Sequence, residues 1–339
     1  MQLNDTKAIT VADILLFRGI PISYSYLVPE FLKDKLKPGV HVIVPLGNSR
    51  CKGLILSVTE EQNAVLNKKA ILDTESTIAN ITEEQVFLIQ RFASYYQCVP
   101  YKAYQCIIGN RKYRPENSTV FQDASDSPYT LNDEQQQAFD GIISVSGYSE
   151  HLLHGITGSG KTEIYMHLAA EMLRRGKTIV VLCPEISLTP QYTRHFTQRF
   201  GNKITVLHSN LTPKQRDLAW SAIQDGHVSI IIGPRSAVFS PNLNLGMIII
   251  DEEHDASYKQ DSHPRYHTHR VARWRCQYNN CQLVLGSATP SITSYALSKA
   301  LVPESDLTVK RYYYQLTKRA TGSNLPSVEI LDSSIEEPS

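Results

Sequence analysis

Nowhere in its 339 residues does the chain hold an apolar run near the roughly 20 residues that a membrane span requires, and residues 1–10 are polar, without the core of a signal peptide. A cytoplasmic protein with no membrane partner is therefore expected. The six cysteines (Cys51, Cys98, Cys106, Cys183, Cys276, Cys281) include no C-x-x-C pair, so neither a zinc knuckle nor a disulfide framework is indicated. Buried free thiols and no zinc are expected. An excess of charge of one sign is also missing: 34 Lys and Arg stand against 33 Asp and Glu, a net charge of +1. Charge alone thus does not point to nucleic acid, and any basic surface must be local. At 42% hydrophobic and 20% charged residues, the composition excludes a disordered or collagen-like chain. The length suits two or three domains of roughly 100–200 residues each.

What the sequence does contain is Gly155-Ile-Thr-Gly-Ser-Gly-Lys-Thr162, a G-x-x-x-x-G-K-[ST] phosphate loop set between an apolar stretch at 151–154 and an amphipathic helix. Glycines let consecutive backbone N–H groups surround a phosphate, and the helix that follows directs its positive end at the same point. ATP is the expected ligand, held by Gly155, Thr157, Gly158, Ser159, Gly160, Lys161 and Thr162. Lys161 is placed to reach the β- and γ-phosphates, and Thr162 to offer a hydroxyl to Mg2+. The ion's second protein ligand must be an acid farther on. Met247-Ile-Ile-Ile-Asp251, an apolar strand ending in a carboxylate, supplies it.

Residues 8–60 read as short strands at 11–17, 24–28, 41–45 and 53–58, separated by Gly- and Pro-containing turns, which suggests a small β-barrel or sandwich. Thr82-Glu-Glu-Gln85 is a capping box opening a helix with Val86, Ile89, Ala93 and Tyr96 on one face. This β-rich domain is expected to span 1–109. Residues 110–130 are polar and aperiodic, hence a linker. From 131, a helix at 132–143 precedes strands at 151–154, 178–183, 204–207, 228–232, 247–250 and 282–285. Between them lie helices at 187–199, 213–224 and 265–278, together with the helix that Gly176 closes. Apolar strands alternating with amphipathic helices imply an α/β parallel sheet covered on both faces, with ligands at the carboxyl ends of its strands.

Two further motifs fall at such ends: Asp251-Glu-Glu-His254, a D-E-x-H box, and Gly286-Ser-Ala-Thr-Pro290. With the phosphate loop they resemble motifs I, II and III of superfamily-two helicases and translocases, which implies a RecA-like lobe over 131–324. In that reading Asp251 holds Mg2+ and Glu252 orients or deprotonates the attacking water. His254, Ser287, Ala288 and Thr289 couple the phosphate site to DNA. Cys183-Pro-Glu-Ile-Ser-Leu-Thr-Pro190, Ile232-Gly-Pro-Arg-Ser-Ala237, Asp251-Glu-Glu-His-Asp-Ala-Ser-Tyr-Lys-Gln260 and Pro264-Arg-Tyr-His267 closely resemble the PriA family of bacterial primosomal helicases. Tyr24-Ser-Tyr-Leu-Val-Pro29, Pro38-Gly39 and Pro45-Leu-Gly47 extend that resemblance into the barrel.

The resemblance implies a 3′-to-5′ DNA helicase of replication restart. Its DNA partners would be single strands and forks with a 3′ end, and its protein partners primosome proteins and single-strand-binding protein. It assigns adenine reading to Gln135, whose competing role is to cap its own helix. DNA contacts fall to Tyr24, Ser25, Tyr26 and Gly39 in the barrel and to Arg235, Tyr258, Lys259, Arg265 and Tyr266 in the lobe. His263, His267 and His269 lack the carboxylate or cysteine pattern of a metal site.

Several features depart from the family. Ser25 stands where relatives place an acid that contacts the terminal 3′-hydroxyl. The stretch 110–130 is too short for a winged helix, and Thr268-His-Arg270 replaces the usual Ala-Arg-Asp. Residues 325–339 resemble the start of a crossover into a second lobe that does not follow, so the expectation is a fragment or a naturally shortened chain with weak ATP hydrolysis of its own. The alternative is a non-catalytic, ATP-binding module that recognises DNA forks.

Overall fold

The computed structural model describes residues 9–61, 68–109, 129–300 and 309–320. In the N-terminal part, β1 (Ile9–Leu16), β2 (Tyr24–Leu27), β3 (His41–Leu46), β4 (Ser49–Glu61) and β5 (Asp73–Thr74) form an antiparallel sheet in the order β2-β1-β4-β3-β5. β4 is 13 residues long, which lets it pair with β1 along one part and β3 along the other. The sheet curls back toward its first edge: Leu27 N–H donates to Lys69 O at 2.9 Å, and Ile71 N–H donates to Leu27 O at 3.0 Å. The expected barrel is thus an open sheet whose edges meet through a single bridge, Leu27–Ala70. Inside it lie Ile14, Leu16, Tyr26, Val42, Val44 and Ile55.

The capping box at Thr82 forms as expected and opens α1 (Glu83–Tyr95). A second helix, α2 (Pro100–Ile107), follows with proline in its first turn. No strand or helix was anticipated there. Only residues 129 and 130 of the expected linker are among those described, and the crossover-like stretch 325–332 lies outside them.

The remaining chain builds α3 (Asp133–Ser144), β6 (Ser149–Gly155), α4 (Lys161–Arg174), β7 (Thr178–Leu182), α5 (Pro190–Phe200), β8 (Ile204–Val206) and α6 (Pro213–Gln224). It continues through β9 (Ile230–Gly233), β10 (Leu245–Ile250), α7 (Thr268–Tyr278), β11 (Gln282–Ser287), α8 (Ile292–Ser298) and β12 (Lys310–Leu316). All pairings are parallel and the order is β12-β6-β11-β10-β7-β9-β8. Near-continuous apolar strands such as β7 and β10 are buried on both faces, as a sheet covered by helices on each side requires.

Two boundaries differ from expectation. α5 begins at Pro190, not 187, because Thr189 caps it by accepting from Tyr192 N–H at 3.2 Å, with a short 3-10 turn (Glu185–Ser187) before it. α7 begins at Thr268, not 265, because residues 259–267 form a small two-arm ladder: Gln260 N–H donates to Tyr266 O at 2.8 Å and Lys259 bridges His267. α8 and β12 were not foreseen.

The two parts share one apolar cluster, which runs from Leu15 and Leu54 through Phe92 and Tyr104 to Phe239, Tyr266 and Trp274. Within it, Arg275 of α7 is 0% exposed and its guanidinium makes a two-pronged bond to Glu84 of α1, at 2.6 and 2.9 Å. Asn279 Nδ2 also donates to Glu84, and Gln85 Nε2 donates to Phe239 O. We expect Arg275→Ala or Glu84→Ala to cost about 3–5 kcal/mol in urea unfolding, since each strands a buried charge. The apolar pair Glu84→Leu with Arg275→Met should cost much less than the sum of the single changes.

His41 lies in the same interior, its Nε2 3.0 Å from the Tyr104 hydroxyl, and burial pushes its pKa down to about 4. The folded imidazole therefore stays neutral while the unfolded chain takes up a proton below its usual pKa of about 6.5. This contribution to stability is complete above pH ~6.5 and is lost as pH falls toward ~4, at up to about 1.4 kcal/mol per pH unit. Unfolding midpoints between pH 6.5 and 4.5 should depend less on pH in His41→Gln by that slope.

Candidate nucleotide site and nucleic-acid interface

β6 runs through the sheet between β12 and β11 and delivers Gly155 to its carboxyl end. The loop turns back through Gly158 (φ +80°) and Gly160 (φ +81°), left-handed positions that glycine takes without strain. A side chain at 160 would also run into the Gln135 amide. Lys161 is buried and its Nζ donates to Gly155 O at 2.9 Å, which folds the amine into the loop. Ser159 Oγ is buried and has no hydrogen-bond partner among the described residues. An orphan donor in a loop of this kind suits a phosphate. Thr162 is half-buried on the first turn of α4, and Thr157 is exposed at the rim.

Gln135 occupies the position expected of an adenine reader, but both ends of its amide are engaged. Its Oε1 accepts from Asn132 N–H at 2.9 Å and its Nε2 donates to Ser159 O at 2.8 Å. It therefore completes the capping box of α3 and ties that helix to the phosphate loop.

Asp251, the residue after β10, is buried. Its Oδ1 accepts from the Tyr165 hydroxyl at 2.9 Å and its backbone carbonyl accepts from the Tyr258 hydroxyl at 2.6 Å. Gly286 leaves room for the Tyr165 hydroxyl where any side chain would collide. Burial first, and the neighbouring Glu252 second, push the Asp251 carboxyl up to about 6. Such a carboxylate gains from a cation placed against it. The described residues include no group of three or more His, Cys, Asp or Glu able to hold a metal by itself. A carboxylate and a hydroxyl, Asp251 and Thr162, fit Mg2+, which keeps several waters and takes its other ligands from substrate phosphates.

Glu252 sits at φ +45°, a left-handed position disfavoured for a side chain of its size. Its carboxylate is 3.7 Å from His254 Nδ1. That same Nδ1 is 2.7 Å from Ser287 Oγ, Ser287 Oγ accepts from Thr289 N–H at 3.0 Å, and His254 Nε2 is 3.5 Å from Thr289 Oγ1. The D-E-x-H box and the S-A-T motif, with Ala288 half-buried between its neighbours, are thus brought together.

The residues expected to touch DNA divide. Arg235 donates through one nitrogen to Ser257 O and Lys259 O, both at 2.9 Å, and lines a cavity of about 480 Å³ with Glu185, His208, Arg216, Gln260 and the edge of Tyr266. Lys259 and Arg265 are exposed and, with Tyr95, Tyr96, His267 and Arg270, line a second cavity of about 590 Å³. Tyr258 is fully buried and Tyr266 nearly so, their rings packed in the apolar cluster, so neither presents a stacking face. Gly39 is also buried, since its left-handed turn (φ +92°) brings Ile81 against it, with Ile81 N–H donating to Gly39 O at 3.0 Å. In the barrel Tyr24 is exposed, whereas Tyr26 is buried with its hydroxyl on Pro45 O at 3.0 Å.

Three features escaped the sequence. Ser25 Oγ donates to Asp13 Oδ1 at 2.6 Å, and Ser57 Oγ donates to Asp13 Oδ2 at 3.1 Å, so a carboxylate stands beside Ser25 after all, supplied across the β1–β2 pair. The available signal was Asp13 itself, the one charged residue in β1 and flanked by apolar neighbours. Glu253, unassigned within the D-E-x-H box, is buried and binds Ser291 N–H at 2.6 Å, Ser291 Oγ at 3.1 Å and Ser294 Oγ at 2.9 Å at the start of α8. Burial would raise its carboxyl, but His269 at 3.4 Å and these donors outweigh that and hold it at about 2. Last, residues 317–320 run beside the phosphate loop, where no sequence motif placed them.

A DEAD/DEAH box helicase family model matches residues 132–297, and a 3′DNA-binding domain model matches residues 13–109. Among curated proteins, the replication restart protein PriA of Bacillus subtilis is 45% identical over 208 residues, covering 60% of this chain and 25% of that protein. That of Treponema pallidum is 36% identical over 307 residues, 88% of this chain and 45% of its own length. The chain thus spans less than half the length of these relatives. Among solved structures, the Pyrococcus furiosus Hef helicase domain aligns with a TM-score of 0.39 at 18% identity, over 56% of this chain and 38% of that one. No described helix is long and apolar enough to cross a membrane.

Glu253→Ala should cost about 2–4 kcal/mol in chemical unfolding, because it strands the buried Ser294 hydroxyl and the half-buried Ser291 donors. Glu253→Gln, which keeps the shape and loses the charge, should cost less.

Proposed function

Because this chain matches the N-terminal portion of the PriA replication restart proteins, we propose that it is the fork-binding and first motor part of an ATP- and Mg2+-dependent 3′-to-5′ DNA helicase that restarts replication. One observation supports the reading above others: a phosphate loop, a buried magnesium-type carboxylate and a basic cavity stand on one strand-end face and are joined by hydrogen bonds. Tyr258 links Asp251 to the loop at 257–267, and Arg235 holds that loop through Ser257 and Lys259.

With ATP bound, Mg2+ would neutralise charge on the β- and γ-phosphates. Lys161 would leave Gly155 O for those phosphates, and Thr162 with Asp251 would hold the ion. Glu252 would orient the attacking water. The bonds from His254 to Ser287 and Thr289 would pass a change at the phosphates to the start of α8 and to the loop at 257–267. A single strand would lie along the cavities lined by Arg235, Lys259 and Arg265, with phosphate on the cations. Stacking would fall to the exposed Tyr95 and not to Tyr258 or Tyr266. In the barrel, Asp13 and Ser25 would together accept the terminal 3′-hydroxyl, giving it the charge-assisted bond that Ser25 alone lacks. Primosome proteins and single-strand-binding protein are proposed as protein partners on the resemblance alone.

The test is fluorescence anisotropy of single strands ending in a 3′-hydroxyl or a 3′-phosphate. The wild-type chain should prefer the hydroxyl about tenfold, the worth of one bond to a charged group. Asp13→Asn should abolish that preference while leaving binding to the 3′-phosphate strand unchanged. Equal binding of both strands by the wild type would remove end recognition from the reading. Lys161→Ala should lower ATP affinity at least about tenfold and leave DNA binding within about twofold. A parallel loss of DNA binding would count against separate sites.

A further inference from the structure

β12 ends at Leu316, and the four residues after it cross the outer side of the phosphate loop. They are held at both ends. Thr317 N–H and Oγ1 donate to the two carboxylate oxygens of Glu134 at 2.7 and 2.6 Å, and Ala320 N–H donates to Gly158 O at 2.9 Å. Between these anchors stands Arg319, its methylenes alongside Gly158. Its Nε is buried with no hydrogen-bond partner among the described residues. A guanidinium carries five donors in a rigid plane, and leaving one buried and unmatched is costly unless something else fills the space.

The sheet order says which part of a nucleotide that would be. β6 carries the phosphate loop, and the acid for the metal, Asp251, lies at the end of β10, two strands away across β11. β12 lies on the opposite flank of β6. A nucleotide with its β-phosphate in the loop and its terminal phosphate and metal toward Asp251 must extend its ribose and base toward β12. There the wall consists of the amino end of α3 and residues 317–320. Gln135 on that wall is already committed to Asn132 and Ser159. Arg319 is the donor left over.

We infer that Arg319 is a base-binding residue of the nucleotide site, stacking its guanidinium plane on the purine, and that residues 317–320 close the base side of the pocket. This rests on the nucleotide reading given above. Guanidinium groups favour flat π-faces, which an ammonium group does not match in shape.

Isothermal titration of the whole chain with ADP and with inorganic triphosphate, each with Mg2+, separates the possibilities. Arg319→Ala and Arg319→Lys should each weaken ADP about tenfold and change triphosphate binding by less than about twofold. Thermal unfolding of both variants shows whether the fold is kept. Equal weakening of both ligands would put Arg319 at the phosphates and overturn the assignment, and so would unchanged binding of both. Full ADP affinity in Arg319→Lys would mean that charge and not the plane matters, which overturns stacking. A wild-type chain that binds neither ligand overturns the nucleotide reading itself, whereas wild-type binding that the substitutions leave intact overturns only Arg319.

Discussion

The Arg275 guanidinium in α7 has its carboxylate on α1, nearly two hundred residues earlier in the chain, and both are shut away from water. Removing either charge from its partner inside the protein costs several kcal/mol, so the N-terminal helices and the parallel sheet cannot part by a small hinge motion. Around the pair the packing is aromatic: Phe92 against Phe239 and Tyr266, Tyr95 and Tyr96 edge-on to Trp274, Arg270 over Tyr95. The N-terminal part and the parallel-sheet lobe therefore meet through a buried, charged and aromatic surface.

That surface reaches the site. Tyr96 of the N-terminal part accepts from His267 N–H at 3.0 Å, and His267 closes the ladder at 259–267 that begins just past the D-E-x-H box. The same loop is pinned to Asp251 through the Tyr258 hydroxyl. If Asp251 took up a cation as proposed, a movement of it would pull on a loop whose far side is fixed to Tyr96 at the end of α1. The burial that makes Tyr258 unavailable to a base makes it a rigid strut, since a fully enclosed ring transmits displacement where a solvated one would swing. In the proposed function, the lobe's DNA contacts would then belong to the polar groups that this strut positions, Arg235, Lys259 and Arg265.

How far all of this could be read from the sequence depended on whether a feature is local. The phosphate loop, the capping boxes at Thr82 and Asn132 and the apolar runs of β7 and β10 each lie within a few residues, and each formed as expected. Motif order grouped His254 with Ser287, and the bond between them is what the fold adds. The burial of Tyr258 and Tyr266 was not legible, because a Tyr-Lys-Gln or Arg-Tyr-His run reads equally well as a surface loop until Phe92 and Phe239 are placed against it. Asp13 escaped for a related reason: its meaning lies in the residue across the ladder, and register is invisible before two strands are paired. Gln135 shows one position open to two expectations, a capping glutamine and a ligand-reading one, and its bonds to Asn132 and Ser159 commit the amide to the first.

Strand order was the least legible property and has the largest consequence. Chain order would leave β12, the last strand, at the far end of the sheet, yet it pairs with β6, the first strand of the lobe, from Lys310 opposite Ser149 to Leu316 opposite Gly155. That crossover brings residues more than one hundred and fifty positions farther along the chain beside the phosphate loop. It also gives the loop a direction, with the Asp251 carboxylate toward β10 and Arg319, whose Nε has no partner, toward β12. A nucleotide has the same polarity, anionic at one end and flat and apolar at the other. The Tyr312-Tyr-Tyr314 run of β12 is what makes the pairing firm: Tyr312 stacks on His151, Tyr313 bonds His154 at 2.7 Å, and the strand register that results decides where Arg319 stands.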